Sequence, residues 1–181
     1  MKYHIKQLTD LINYVYSIST YTQNIINYVT TCTEKSICKQ MYNYITTIIG
    51  EMSFEYNTEF LKKKNDSNIQ LKITNNITKY RLYYTILIEL INDIPKATNA
   101  IDKIACIEKI TTEITDQLQK KNKMMTADDL LDILSYLIIN SSIEYPYDEI
   151  TYMNEYMNKL DSKQEYLVVS FNASVDFIRL S

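Results

Sequence analysis

The feature that most limits the possible folds of this 181-residue sequence is its shortage of glycine and proline, with one Gly and two Pro. These residues end helices and shape the turns between strands, so a chain this poor in them favours long helices. Apolar residues also recur at three- and four-residue spacing, the period of an amphipathic helix. The sequence therefore predicts an all-α fold, a layered helical domain with further helices at its N-terminus.

The apolar pattern places several of these helices. A long stripe is formed by Ile101, Ile104, Ile107, Ile110, Ile114 and Leu118. Similar patterns predict helices over 5–16, 25–29, Ser36–Ile49, Tyr80–Asn92, Asp148–Leu160 and Glu165–Leu180. We expect a solvated loop at Lys62–Asn68. Residues 69–77 (IQLKITNNI) partly alternate and are compatible with a short strand.

Composition and charge exclude several classes of protein. The chain is 46% hydrophobic and 23% charged, so it can bury a core. Its formal net charge of −3 argues against non-specific nucleic-acid binding. No apolar run approaches the length of a membrane span, and the N-terminus is a poor signal peptide. We therefore expect a cytoplasmic protein, of its source cell or of a host, without direct membrane insertion.

Scarce residue types also limit the chemistry. Gly50 is the single glycine, which excludes phosphate-binding loops that need several. His4 is the single histidine, so catalysis by a serine or cysteine nucleophile lacks a good histidine base. A histidine-rich metal site lacks its set of ligands for the same reason. Cys32, Cys38 and Cys106 have no paired metal spacing and are expected to be reduced, mostly buried thiols. We predict neither a metal nor a cofactor.

The stretch TADDLLDILSYLI, which begins at Thr126, combines an apolar helix with an acidic entrance. Thr126 as N-cap and Asp129 three residues later resemble a capping box. A carboxylate in the first turn gains about 0.3–1 kcal/mol from the helix dipole. Local capping therefore accounts for Asp129.

Local capping accounts less well for the other two acids of this stretch. Asp128 and Asp132 lie four residues apart on one helical face and repel each other by roughly 0.2–0.5 kcal/mol. Ser135 extends this face, which on local grounds alone is expected to be solvated. The opposite face is predicted to be core and consists of Leu130, Leu131, Leu134, Leu137 and Ile138.

Four segments resemble a known family in order and spacing. Ala127–Leu131 with Tyr136 is similar to the signature helix of the vacuolar-protein-sorting-nine exchange-factor domain, which reads A-D-D/E-L/F-L-P-V-L-I-Y. Asp102–Ile107 (DKIACI) resembles D-K-L-x-C-I, and Glu149–Met153 (EITYM) resembles S/N-I/L-x-Y-I. Tyr166–Ser170 (YLVVS), followed by SVDFI, is similar to the last segment. The resemblance is strongest over 101–178. It implies a domain at 36–181 after an N-terminal helical extension at 1–35.

The resemblance implies a guanine nucleotide exchange factor for endosomal Rab GTPases of the Rab-five subfamily. Such a factor catalyses nucleotide release without bond chemistry. In that family an acidic finger enters the nucleotide site of the GTPase, and a tyrosine in the last segment helps to bind the switch regions. The finger corresponds to Asp128 and the tyrosine to Tyr166. Recruitment to early endosomes would follow from the Rab partner. The oligomeric state is not implied.

The sequence departs from the family pattern at two positions near these residues. The family proline four residues after the finger is Asp132, and the threonine three residues after the tyrosine is Val169. Adjacent Ser170 could supply the missing hydroxyl, so these three residues are candidates for contact with the GTPase. The departures keep open a module that binds a GTPase without catalysing exchange. An all-α interaction protein that binds a host protein is a further alternative.

Overall fold

Every regular element among the described residues is a helix, which confirms the predicted fold class. The computed structural model describes residues 42, 46–155, 157 and 160–181. The helices are α1 (described over 46–64), α2 (Ser67–Ile77), α3 (Tyr84–Ile91), α4 (Ala100–Gln119), α5 (Ala127–Ile139), α6 (Pro146–Asn154) and α7 (Ser162–Leu180). Residues 42 and 46–49 of the helix predicted at Ser36–Ile49 are helical, and its other residues lie outside the described part. The helices predicted at 5–16 and 25–29, His4, Cys32, Cys38 and the boundary at 35/36 also lie outside the described residues.

The strand considered for residues 69–77 is wrong, because this segment belongs to α2. Its buried side chains are Ile69, Ile73 and Ile77, which are spaced by four residues and so share one helical face. The Asp66 side chain accepts a hydrogen bond from the backbone N–H of Asn68 and caps the helix. The partial alternation of the sequence therefore came from polar residues on the exposed side of a helix.

The loop predicted at Lys62–Asn68 is also wrong in most of its length. Helix α1 continues through residue 64 and only residues 65 and 66 separate it from α2. The Lys63 ammonium donates to the carbonyl oxygen of Ser181 at 2.7 Å, and the Lys64 ammonium donates to those of Ser141 and Ile143. These lysines therefore bind the ends of other segments instead of forming a solvated run.

The bounds of α6 and the buried face of α4 also differ from the prediction. Helix α6 begins at Pro146, because proline fits the first helical turn, where its missing N–H has no intrahelical partner. The helix ends at Asn154, before the predicted end at Leu160. In α4, Ile101 is 46% exposed, whereas the rest of the predicted stripe is buried. The buried face of α4 instead includes Ala100 and Lys103.

Helices α4, α5 and α7 each pack against three other helices among α2 to α7. Helix α5 packs against α7, α2 and α3, while α4 packs against α3, α6 and α7. The core contains side chains from all of these helices, including Ile73, Leu87, Ile107, Leu134, Met153 and Phe171. No helix of the described part is long and apolar enough to cross a membrane.

An ion pair is buried between α4 and α6. The Lys103 side chain is fully buried, and its ammonium lies 2.5 Å from Glu149 Oε2. It also donates to the carbonyl oxygen of Ile94 at 3.0 Å and lies over the rings of Tyr42 and Tyr152. Burial raises the pKa of Glu149 above its usual value, and the lysine charge only partly opposes this. Each member of the pair therefore depends on the other.

Candidate functional site

The entrance of α5 is held by a complete capping box. The Thr126 hydroxyl accepts from the backbone N–H of Asp129 at 3.2 Å, and Asp129 Oδ2 accepts from the backbone N–H of Thr126 at 3.0 Å. The predicted cap is therefore confirmed. Since the helix begins at Ala127, Asp128 occupies the second position of the first turn.

Asp128 presents a free carboxylate on this fixed turn. The residue is exposed, whereas the Leu130 side chain two positions later is 1% exposed and anchors the helix in the core. In the part of the chain that the structure describes, the Asp128 carboxylate has no hydrogen-bond or ion-pair partner. The backbone beneath it is thus fixed, while its charge is available to a partner.

Asp129, in contrast, is engaged within the protein. The Tyr80 hydroxyl donates to Asp129 Oδ1 at 2.6 Å. Burial alone would raise the pKa of Asp129, but the hydrogen bonds from Tyr80 and Thr126 outweigh burial and lower this pKa below its usual value. Asp129 therefore joins α5 to the connection between α2 and α3.

The hydrogen bond from Tyr80 makes part of the stability depend on pH. A carboxyl whose pKa is lowered by folding stabilises the fold above its ordinary pKa, near 4, and loses that contribution as the pH falls through the lowered value. We expect Tyr80→Phe to cost roughly 1–2 kcal/mol of the free energy of unfolding at pH 7, and less at pH 3. Urea unfolding at both pH values measures this difference. An equal loss at both would show that packing, not the carboxylate, is responsible.

Asp132 also has partners inside the protein. Its side chain is 20% exposed, and its oxygens lie 3.4 Å from Lys79 Nζ, 3.3 Å from Asn76 Nδ2 and 3.3 Å from the Tyr80 hydroxyl. These contacts offset the repulsion between Asp132 and Asp128. The acid that stands at the family proline position thus anchors α5 to the C-terminal end of α2 and the turn after it.

The solvated face predicted on α5 is wrong beyond Asp132. Ser135 is fully buried, and its Oγ lies 3.5 Å from the carbonyl oxygen of Ser174 on α7. On the other face Leu131 is only half-buried, while the other predicted core residues are buried. Helix α5 is therefore covered on more sides than an amphipathic surface helix, since α2, α3 and α7 all pack against it.

The candidate residues of α7 form a partly apolar exposed surface. Tyr166 is 49% exposed and Val169 is 55% exposed, and at three-residue spacing they are neighbours on the helix. The Ser170 hydroxyl donates to the carbonyl oxygen of Tyr166 at 2.8 Å. That hydroxyl is therefore already used within the helix, whereas the Tyr166 ring faces solvent.

Contacts at the middle and at the C-terminal ends of α5 and α7 indicate that the two helices run in the same direction, with the two catalytic candidates at one end. The contact between Ser135 and Ser174 sets the alignment. The neighbouring lysines of α1 hold the carbonyl groups that follow both helices, at Ser141 and Ser181. Asp128 precedes Ser135 by seven residues on α5, and Leu167 precedes Ser174 by seven residues on α7. The exposed Tyr166 therefore lies at the same end of the helix pair as Asp128.

Residues 84–181, more than half of the chain, match the Vacuolar sorting protein 9 (VPS9) domain. An all-α domain of this kind acts on another protein, a small GTPase of the Rab class, and the chain belongs to the VPS9 domain family. Family membership gives its general activity as guanine nucleotide exchange on Rab GTPases and confirms the resemblance seen in the sequence. Helices α3 to α7 lie inside the match, while α1 and α2 precede it.

Sequence reasoning missed the residues that hold the acids of α5. Asn76, Lys79 and Tyr80 lie about fifty residues before α5, and no local pattern links them to it. Among the described residues, no group of three His, Cys, Asp or Glu side chains is placed to hold a metal ion. The candidate site consists instead of the exposed Asp128 carboxylate on α5 and the exposed Tyr166 and Val169 side chains on α7.

Proposed function

We propose that this protein promotes GDP release from an endosomal Rab GTPase of the Rab-five subfamily, with Asp128 as the acidic finger. The observation that carries the proposal is the free Asp128 carboxylate on a capped helix turn. The neighbouring acids Asp129 and Asp132 are bound to Tyr80 and Lys79 within the protein, so they are less available. One acid of the three is thus left exposed for a partner.

The chemistry of exchange explains why a rigid carboxylate would suffice. A nucleotide bound at about picomolar affinity is held by roughly 16 kcal/mol and leaves very slowly. A factor accelerates release only by binding the nucleotide-free GTPase better than the loaded one. A carboxylate does so because it repels the phosphates of the nucleotide and, after they leave, pairs with the phosphate-loop lysine.

The exposed surface of α7 would supply the rest of the contact. Tyr166 offers a large ring that can pack against the switch regions, and Val169 extends this apolar surface where the family has a threonine. Ser170 would lie at its edge. Asp132 lies one helical turn from Asp128. Its side chain is 20% exposed, and this exposed part would contact the GTPase.

Wild-type protein should accelerate the release of a fluorescent GDP analogue from at least one Rab of the Rab-five subfamily. The measurement is stopped-flow fluorescence over a panel of purified Rab GTPases loaded with the analogue, with excess unlabelled nucleotide. Stable binding to a Rab without acceleration would favour the non-catalytic module. Absence of both on every Rab would contradict the proposal. If the partner is an endosomal Rab, the protein would act at early endosomes.

A further inference from the structure

A basic cleft lies between the connection from α2 to α3 and the connection from α4 to α5. Its volume is about 440 Å³, and its lining residues are Thr78, Lys79, Tyr80, Arg81, Lys121 and Lys123. Four of these six residues are cationic and none is acidic, and of the four cations Lys79 is paired with Asp132 outside the lining. The chain as a whole has a formal net charge of −3, so this concentration of positive charge opposes the general balance.

Backbone contacts hold the two connections of the basic cleft together. The Lys121 ammonium donates to the carbonyl oxygens of Tyr80 and Arg81, and the Lys123 ammonium donates to that of Lys79 at 3.0 Å. Carbonyl groups are neutral, so these bonds fix the lysines without cancelling their charge. An ammonium has three donors, so each lysine keeps capacity for an external acceptor.

Arg81 is the least engaged cation of the basic cleft. The residue is exposed, and within the described part of the chain its guanidinium has no hydrogen-bond or ion-pair partner. Its backbone φ of 55° and that of Asn122, 54°, lie in the left-handed region, which residues other than glycine adopt at a cost. Each connection that forms the cleft therefore contains one such strained residue.

The basic cleft is close to Asp128. Asp132 follows Asp128 by one helical turn on the same face, and its carboxylate is 3.4 Å from the Lys79 ammonium. From helix geometry, this ammonium is within roughly 13 Å of the Asp128 Cα. A standard protein interface covers about 800 Å² on each partner, a patch of roughly 16 Å radius. A partner centred on Asp128 would therefore reach the edge of the cleft.

We infer that the basic cleft is a second contact for the GTPase and binds acidic side chains on it. This inference rests on the proposed function, since it assumes that Asp128 enters the nucleotide site. Lys79 and Arg81 precede the family match, which begins at residue 84. The cleft thus adds selectivity for GTPases that carry Asp or Glu at the matching position. Guanidinium and ammonium groups at the rim of an interface steer association and reject partners with the wrong charge.

Charge reversal at the basic cleft tests the inference. We expect Arg81→Glu and Lys123→Glu each to raise the KM of nucleotide exchange roughly fivefold or more, with kcat changed less than twofold. The salt dependence of kcat/KM should become flatter, because fewer charge pairs are screened. Arg81→Gln, which leaves the backbone bonds of the cleft intact, should give a smaller effect in the same direction.

Lys62→Glu is the matched control. Lys62 is exposed on α1, next to the lysines that bind the C-terminal ends of α5 and α7, so it lies far from the acidic entrance of α5. This variant changes the net charge equally and should keep the wild-type KM. A rise in KM equal to that of Arg81→Glu would overturn the inference, because it would reflect net charge alone. Thermal unfolding confirms that each variant is folded.

Two further results separate this inference from the proposed function. If wild-type protein accelerates release while both reversals leave KM unchanged, the inference is overturned and the proposed function stands. If wild-type protein is inactive on every Rab, the proposed function fails and the inference fails with it. Binding to vesicles with and without phosphatidylserine tests a lipid partner. If Arg81→Glu and Lys123→Glu lose binding to these vesicles but keep the wild-type exchange kinetics in solution, the GTPase contact is overturned.

Discussion

Asp128→Ala should slow catalysed nucleotide release by roughly 30-fold or more on the Rab that responds best to wild-type protein. Removing one member of a buried charge pair at an interface costs about 2–5 kcal/mol, which corresponds to this factor or a larger one. The Asp128 carboxylate has no partner within the described part of the chain, so its loss should leave the fold intact. Because Asp128 also interacts favourably with the helix dipole, its loss should cost at most about 1 kcal/mol and lower the Tm by only a few degrees, which thermal unfolding measures.

The charge of Asp128 can be separated from its shape. Asp128→Asn keeps the size of the side chain and should lose nearly as much activity as the alanine variant, since an amide neither repels phosphate nor pairs with a lysine as a carboxylate does. Asp116→Ala, at an exposed acid of α4, makes the same change in net charge and should remain active. Exchange at the wild-type rate by Asp128→Ala would remove Asp128 from the mechanism.

The parts of this site that depend on neighbouring residues were predictable from the sequence. The capping box joins Thr126 to Asp129 over three residues, and helical geometry alone puts their groups within reach. The exposure of Asp128 follows once Asp129 is assigned to the cap and the leucines are assigned to the core. In the same way, the three- and four-residue spacing of isoleucines in α4 was enough to place that helix.

The parts that depend on distant residues were not predictable in this way. The partners of Asp132 are Asn76, Lys79 and Tyr80, more than fifty residues earlier, and a lone acid at that position resembles a solvated one. Ser135 is buried only because α7 lies against it. The strand considered for residues 69–77 failed for a related reason, since burial against α5, not local alternation, decides which isoleucines of α2 face inward.

The burial of Lys103 also depends on a distant residue and could not be predicted from the local sequence. Its replacement is expected to have a large effect on stability. Lysine is among the residues least often buried, so its place in the resemblance DKIACI gave no reason to expect full burial. The structure places its ammonium 2.5 Å from Glu149, on another helix and 46 residues away along the chain. The segment resemblance at Asp102–Ile107 and that at Glu149–Met153 therefore meet through this ion pair.

Lys103→Met should lower the free energy of unfolding by about 3–5 kcal/mol, because it leaves a buried carboxylate without its partner. Methionine has nearly the same length, so the loss reflects charge more than packing. Burial already raises the pKa of Glu149, and without the lysine it should rise further. A carboxyl whose pKa is raised by folding favours the fold below its ordinary pKa and loses this effect as the pH rises. The defect should therefore be smaller at pH 4 than at pH 7 in urea unfolding.

A double variant tests whether charge is the cause. Lys103→Met with Glu149→Gln removes both charges and should recover most of the lost stability, since a neutral pair of similar volume often replaces a buried ion pair at little cost. The coupling between the two positions should then be at least about 2 kcal/mol. Lys109→Met changes an exposed lysine of the same helix and should stay within about 0.5 kcal/mol of wild type. A double variant as unstable as Lys103→Met alone would instead attribute the role of Lys103 to its bonds with Ile94 and Tyr42.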